Sequence, residues 1–321
     1  MSLIASTKPT LQQTAELLKA SADPLRLLIL KVLTQNSYNV AELCEIFQIR
    51  QPALSHHLKL LASSSLITSR KEGTSAFYRI DQSPSAQAQL RKALLQSLDE
   101  IDIDEETTQH LESVHKQRAS ASAQFFAENV DSFREQQDLI ADFPAYGELV
   151  AQIIERVCAT RGIALEVGPG KGELLPFLAS RFEQVQAVDI SSEMLREAES
   201  TIVKQGISNV ELIHGSTSSE FIAPADLIVI NMVLHHTPAP REIFKDLAQQ
   251  LKPNAKLVVC DLVRHEQNWV KSACGDLWQG FDPEELISWA QEAGLTQIEQ
   301  HLFAQRNGFQ FQIQIFNELG H

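Results

Sequence analysis

Three glycines alternate through Gly168-Pro-Gly170-Lys-Gly172, at the end of an apolar stretch at 163–167 and the start of a helical pattern. Glycine there lets backbone approach a ligand closely, and a helix beginning at that point offers unpaired N–H groups. The feature confines this part of the chain to strand, tight turn and helix, the opening unit of an α/β sheet. The alternation then repeats. Candidate strands at 163–167, 184–190, 210–213, 226–232 and 256–262 are separated by helical stretches such as 173–180, 193–205 and 240–251. Short runs rich in Val, Ile and Leu between helices predict a mostly parallel sheet covered on both faces. The end departs from this: a helix over 283–293, capped by Asp282 with Pro283 at its start, precedes strand-like stretches at 296–303 and 309–316. These close the sheet as an antiparallel hairpin.

The front of the chain follows another pattern. Leu11, Ala15 and Leu18, then Leu25, Leu28, Ile29 and Val32, recur at helical spacing, and Asp23-Pro24 between them caps the second helix. A short helix at 39–47 and a second at 51–64, with Leu54, Leu58 and Leu61 on one face, flank the three-residue break Gln48-Ile49-Arg50. That is the length of a helix-turn-helix turn. Strands at 66–70 and 76–80 around Lys71-Glu-Gly-Thr-Ser75 form a hairpin, and a helix at 84–98 follows. The acidic run at 99–106 has little to bury, and a polar helical region extends from about 107 to 140. At 321 residues the chain exceeds one hydrophobic core. The expected division is therefore a DNA-binding domain at 1–98, an acidic helical linker at 99–140 and an α/β domain at 141–321.

The net charge of −14 argues against nucleic acid only as a total. Residues 1–95 carry eleven Lys+Arg against six Asp+Glu, a net of +5, which leaves −19 to the rest. The basic end suits phosphates, and the acidic remainder limits which face approaches them. Cys44, Cys158, Cys260 and Cys274 are scattered without a C-x-x-C pair, against a disulfide scaffold or zinc knot. The apolar runs fall far short of the roughly 20 residues that span a bilayer, and no secretory signal is readable. A cytoplasmic location and no membrane contact are expected.

The segment from Ala41 to Leu61, followed by Ser65 to Gly73 and Phe77-Tyr-Arg-Ile80, resembles the ArsR/SmtB family of winged-helix repressors over about the first 95 residues. The resemblance implies that the second helix of the motif enters the major groove of an operator, with Gln51, Ser55, His56 and Lys59 facing the bases. Arg70, Lys71 and Arg79 on the wing would contact the backbone. His57, beside Leu58, reads as a packed or capping residue. The family also implies a homodimer through the first and last helices. Family members often sense metals through paired cysteines or an Asp/His cluster. This chain has only Cys44 at the first position, and His110 and His115 lack the spacing of the second, so no metal is expected.

Over about residues 145–265, the Gly-rich turn, Asp189 at the end of the next strand and the run from Asp226 to His236 resemble class I S-adenosylmethionine-dependent methyltransferases, particularly the ubiquinone-biosynthesis type. A Rossmann-like fold and S-adenosylmethionine or S-adenosylhomocysteine are implied. By that resemblance Glu166, Gly168 and Gly170 line the methionine end, Asp189 holds the ribose, Asn231 with Met232 borders the methionine, and Gly172, Ile190 and Ser216 belong to the same cofactor site. The family often has Gly-Asp after the third strand, where this chain has Gly215-Ser216, which weakens the adenine contact. An NAD site is disfavoured, since its glycines follow a G-x-G-x-x-G spacing. His235 and His236 stand where a general base for a methyl acceptor is conceivable, or where they only pack. Trp278 and Phe281 equally suit a cavity wall or the core.

Three functions remain open on the sequence. The first is a transcriptional regulator, a repressor, whose second domain senses S-adenosylmethionine or S-adenosylhomocysteine and controls genes of the methionine cycle; the pairing of domains resembles such regulators. The second is an active methyltransferase on a small molecule with an attached DNA-binding domain. The third, a metalloregulator, has only Cys44 behind it.

Overall fold

The computed structural model describes residues 8–72, 75–141, 143–267, 269–305 and 307–318. The chain forms two compact units, Met1–Gln117 and Arg118–His321.

In the first unit, α1 (Leu11–Ser21) and α2 (Pro24–Gln35) precede the two-residue strand β1 (Tyr38–Asn39), α3 (Val40–Phe47) and α4 (Gln51–Ser63). The hairpin β2 (Ile67–Glu72) and β3 (Ser75–Ile80) and the helix α5 (Ala88–Asp99) follow. Local chemistry sets the starts. Thr10 and Gln13 form a capping box at α1, the Asp23 side chain accepts from Arg26 N–H at α2 with Pro24 in the first turn, and Asn39 with Glu42 forms a second box at α3. Gln48 ends α3 in the left-handed region, φ 52°, and turns the chain into α4. The helices close on a core that includes Leu17, Ile29, Leu33, Leu43, Leu54 and Leu61. β1 was not foreseen, because two residues carry no periodicity. It pairs antiparallel with β3, Tyr38 opposite Tyr78, giving the sheet order β1-β3-β2. Gly73 and Thr74, expected in the hairpin turn, lie outside the described residues.

A 37-residue helix, α6 (Glu105–Ala141), fills most of the stretch expected as a linker. Leu111 and Val114 from its first turns belong to the core of the first unit.

The second unit continues with α7 (Phe143–Val157), whose Tyr146, Val150, Ile153 and Ile154 are buried. Then come β4 (Ile163–Val167), α8 (Leu175–Arg181), β5 (Gln184–Asp189), α9 (Ser192–Gln205), β6 (Val210–His214) and β7 (Ala225–Asn231). α10 (Pro240–Gln250), β8 (Leu251–Leu262), α11 (Trp269–Ala273), α12 (Pro283–Glu292), β9 (Leu295–Ala304) and β10 (Gln310–Glu318) complete it. The sheet order is β6-β5-β4-β7-β8-β10-β9. The five strands from β6 to β8 run parallel, and β10 pairs antiparallel with β8 and β9, so the expected parallel sheet with an antiparallel end hairpin is what forms. Strand limits differ from expectation by a few residues. Helix α8 starts at Leu175 and not Glu173, because the glycine turn extends through Gly172 N–H to the Pro169 carbonyl at 2.8 Å. Trp278 and Phe281 are core residues, and the Trp278 indole donates to the Thr237 carbonyl at 2.8 Å. Asp282 and Glu285 form the expected cap of α12. Among the described residues no helix is long and apolar enough to cross a membrane.

Candidate functional site

The strand order reverses between β4 and β7, and open α/β sheets bind ligands at the carboxyl ends of strands at such a point. A cavity of about 410 Å³ lies there, within the ~300–1,000 Å³ usual for small-molecule sites. Its wall includes Glu166, Gly168 and Gly170 after β4, Asp189 and Ile190 after β5, Ser216 after β6, and Asn231 and Met232 after β7. Four separate strand ends thus converge on one space.

Backbone forms the floor. Gly168 has φ +65°, and a Cβ there would stand 2.5 Å from Val233 Cγ2. Gly170 has φ +54°, and a Cβ there would meet no protein atom within 4 Å, so the space in front of it is open. Met232 is also left-handed, φ 58°, an uncommon state for a residue with a side chain and one that clusters at functional sites.

Two carboxyls edge this floor, Glu166 buried and Asp189 half-buried. Burial, with the nearby Glu173 charge adding to it, pushes Glu166 up from 4.5 to about 8. Its Oε2 has no hydrogen-bond partner, and neither has Asn231 Oδ1 beside it in the wall. Tyr146, which meets the Asn231 side chain, is raised well above its ordinary value by burial. Asp189 rises to about 6 through burial, moderated by the Ser191 N–H at 2.8 Å and by His214. Polar atoms buried without partners cost free energy that a polar ligand would recover.

Two of the residues weighed for this site lie outside the cavity wall. Gly172, φ +73°, lies outside the cavity wall; its added Cβ would be 3.1 Å from Ala198 Cα, so its smallness serves the approach of α9. His235 lies behind the wall, with Nδ1 2.8 Å from Asp261 Oδ1. Burial lowers its pKa, but Asp261 and Asp276 outweigh that and bring it to about 8. His236 does line the cavity, 3.4 Å from Asp276 through Nδ1, and burial followed by His235 holds it well below 6.5. The sequence missed Tyr146 and Asp276, since neither falls in a motif.

On the first unit, Gln51, Ser55, His56 and Lys59 are all exposed on α4, opposite the buried Leu54, Leu58 and Leu61. His57 is half-buried, with Nδ1 3.9 Å from Asp23, as expected of a packed residue. Lys71 is exposed and Arg79 half-buried. Arg70 differs from these: it is only 6% exposed. A strand alternates its side chains between two faces, so Arg70 and Lys71 point oppositely.

Comparison with known proteins agrees with both units. The family model described as a methyltransferase domain matches residues 130–301, and that of the bacterial regulatory proteins of the arsR family matches 23–69. An uncharacterized HTH-type transcriptional regulator of Methanocaldococcus jannaschii is 43% identical over 70 residues, 22% of this chain and 79% of that protein. The ubiquinone biosynthesis O-methyltransferase of Erwinia tasmaniensis is 24% identical over 154 residues, 43% of this chain, which spans 62% of that enzyme's length. Among solved structures, the Burkholderia thailandensis 1,6-didemethyltoxoflavin-N1-methyltransferase with bound 1,6-didemethyltoxoflavin and S-adenosylhomocysteine shares the fold. Its TM-score is 0.51 at 16% identity, covering 64% of this chain and 91% of that one. The chain belongs to the methyltransferase-domain family and carries, N-terminal to that domain, a helix-turn-helix regulatory domain of the arsR family.

Proposed function

We propose that this chain is a cytoplasmic, homodimeric transcriptional repressor whose methyltransferase-fold unit binds S-adenosylmethionine or S-adenosylhomocysteine as an effector, and that its operators control methionine-cycle genes. One observation carries the reading: a chain with an arsR-type helix-turn-helix also holds a cavity floored by bare glycine backbone and edged by one buried and one half-buried carboxyl, Glu166 and Asp189. The residues fit an adenosyl amino acid. The open space before Gly170 admits a ligand chain, and the unpartnered Glu166 Oε2 and Asn231 Oδ1 accept from an α-ammonium group. Asp189 accepts from ribose hydroxyls, and Ile190, 47% exposed although apolar, offers a face for a nucleobase with Ser216 nearby. S-adenosylmethionine brings an electrophilic methyl group; S-adenosylhomocysteine has none.

An effector must bind two states of the protein with different affinity, and couplings of ~1–3 kcal/mol shift operator affinity roughly 5–150-fold. The test is operator binding by fluorescence anisotropy, on a duplex selected from random sequence, titrated with each nucleoside separately. A shift of at least about fivefold by one of them is expected. Operator affinity indifferent to both would overturn the reading.

A second reading, methyl transfer to a small acceptor, draws on His236: a neutral imidazole in the cavity wall is a competent proton acceptor. Turnover lost on Asp189→Ala would favour it, and full occupancy without transfer to any acceptor tested would count against it.

A further inference from the structure

The histidine pair has a second aspect, independent of the nucleoside. We propose that His235, His236 and Asp276 form a binding site for one divalent first-row transition ion of the zinc type, in the wall of the cavity. All three side chains are buried, and one potential ligand atom from each lies within 4.8 Å of the others. The His236 Nδ1 to Asp276 Oδ1 separation of 3.4 Å matches the ~3.3 Å between ligands of a tetrahedral ion with ~2.0–2.1 Å bonds.

The surroundings hold this set in place. His235 gives its Nδ1 to Asp261 Oδ1 at 2.8 Å, so Nε2 is the atom it would offer an ion. Asp261 is itself fixed by the Leu234 and Leu262 N–H groups, each at 2.8 Å. A carboxylate that orients a histidine in this way is the usual outer support of a metal-bound imidazole. The loop carrying Asp276 is tied to the same turn, because Leu277 and Trp278 both donate to the His235 carbonyl, at 3.0 and 3.1 Å. Two imidazoles and one carboxylate suit zinc, cobalt or iron and not calcium or magnesium, which take oxygen ligands. His236 borders the cavity, so a vacant coordination position would face whatever the cavity holds, and an oxygen or sulfur atom there could become a ligand. None of Cys44, His110 and His115, which the sequence weighed and rejected, takes part.

The test uses the full chain, stripped with a chelator and titrated with Co²⁺ and then Zn²⁺, following visible d–d absorption and bound metal by mass spectrometry. One equivalent per chain, at micromolar or tighter affinity, is expected. His236→Gln and Asp276→Asn should each remove it, and Asp261→Asn should weaken it by ~10–100-fold. Cys44→Ser and His110→Gln should leave it unchanged. Should the variants fail to fold, X-ray absorption on the cobalt-loaded wild type decides: two imidazoles in the shell are expected. Uptake below one equivalent, uptake retained in His236→Gln and Asp276→Asn, or a shell with fewer than two imidazoles overturns the site and marks the cluster as one joined by protons alone. Nucleoside binding plays no part in these readouts, so their failure leaves the effector reading standing.

Discussion

Glu166 keeps its proton to about 8, whereas the unfolded chain releases it near 4.5. Between those values the folded state binds more protons, so stability of the unliganded second unit falls as pH rises through the window. Asp189, raised from 3.8 to about 6, adds to the lower part. Thermal melts across the range should show Glu166→Gln flattening this slope; a variant with the wild-type slope would refute the assignment. A ligand ammonium favours the ionised carboxylate, so affinity should tighten with pH up to about 8 and binding should release a proton, which calorimetry in buffers of different ionisation enthalpy detects. Glycine 168 supplies a second test. Gly168→Ala meets Val233 at 2.5 Å in a left-handed conformation and should cost ~1–3 kcal/mol and most ligand affinity, read by melting and titration. At this scale the sequence located the strand-end residues, because a glycine turn and an acid ending the next strand leave a local mark. It carries no mark of the packing of Gly172 against Ala198 or of the His235–Asp261 hydrogen bond, whose partners are distant along the chain.

On the proposed reading, neighbouring residues of the wing divide DNA contact from folding. Lys71→Ala should leave the melting temperature unchanged while lowering the salt dependence of operator binding by about one phosphate. Arg70→Ala, one residue away, should do the reverse: it removes a buried side chain, lowers the melting temperature and leaves the salt slope alone. Equal salt effects from both would contradict the assignment. Elements with strong periodicity, such as α4 with Leu54, Leu58 and Leu61, were legible in advance. The two-residue β1 was not, because its only signal is long-range pairing with β3. Helix α7 carries helical spacing in Tyr146, Val150, Ile153 and Ile154, but the polar residues that precede it blur its start in the sequence.

Across the whole molecule, charge separates as function would require. A net +5 over residues 1–95 suits an operator, and of the −19 over residues 96–321 a net −13 falls in the second unit, 118–321, which keeps that unit from competing for phosphate. An effector role for the second unit requires that it hold an adenosyl sulfur compound. Isothermal titration of the metal-free full chain with S-adenosylmethionine and S-adenosylhomocysteine tests that most directly. At least one of them should bind at one per chain with micromolar or tighter affinity, weakened by ~10-fold or more in Asp189→Ala through loss of charged hydrogen bonds. No heat with either nucleoside, or an affinity that Asp189→Ala leaves untouched, would contradict it.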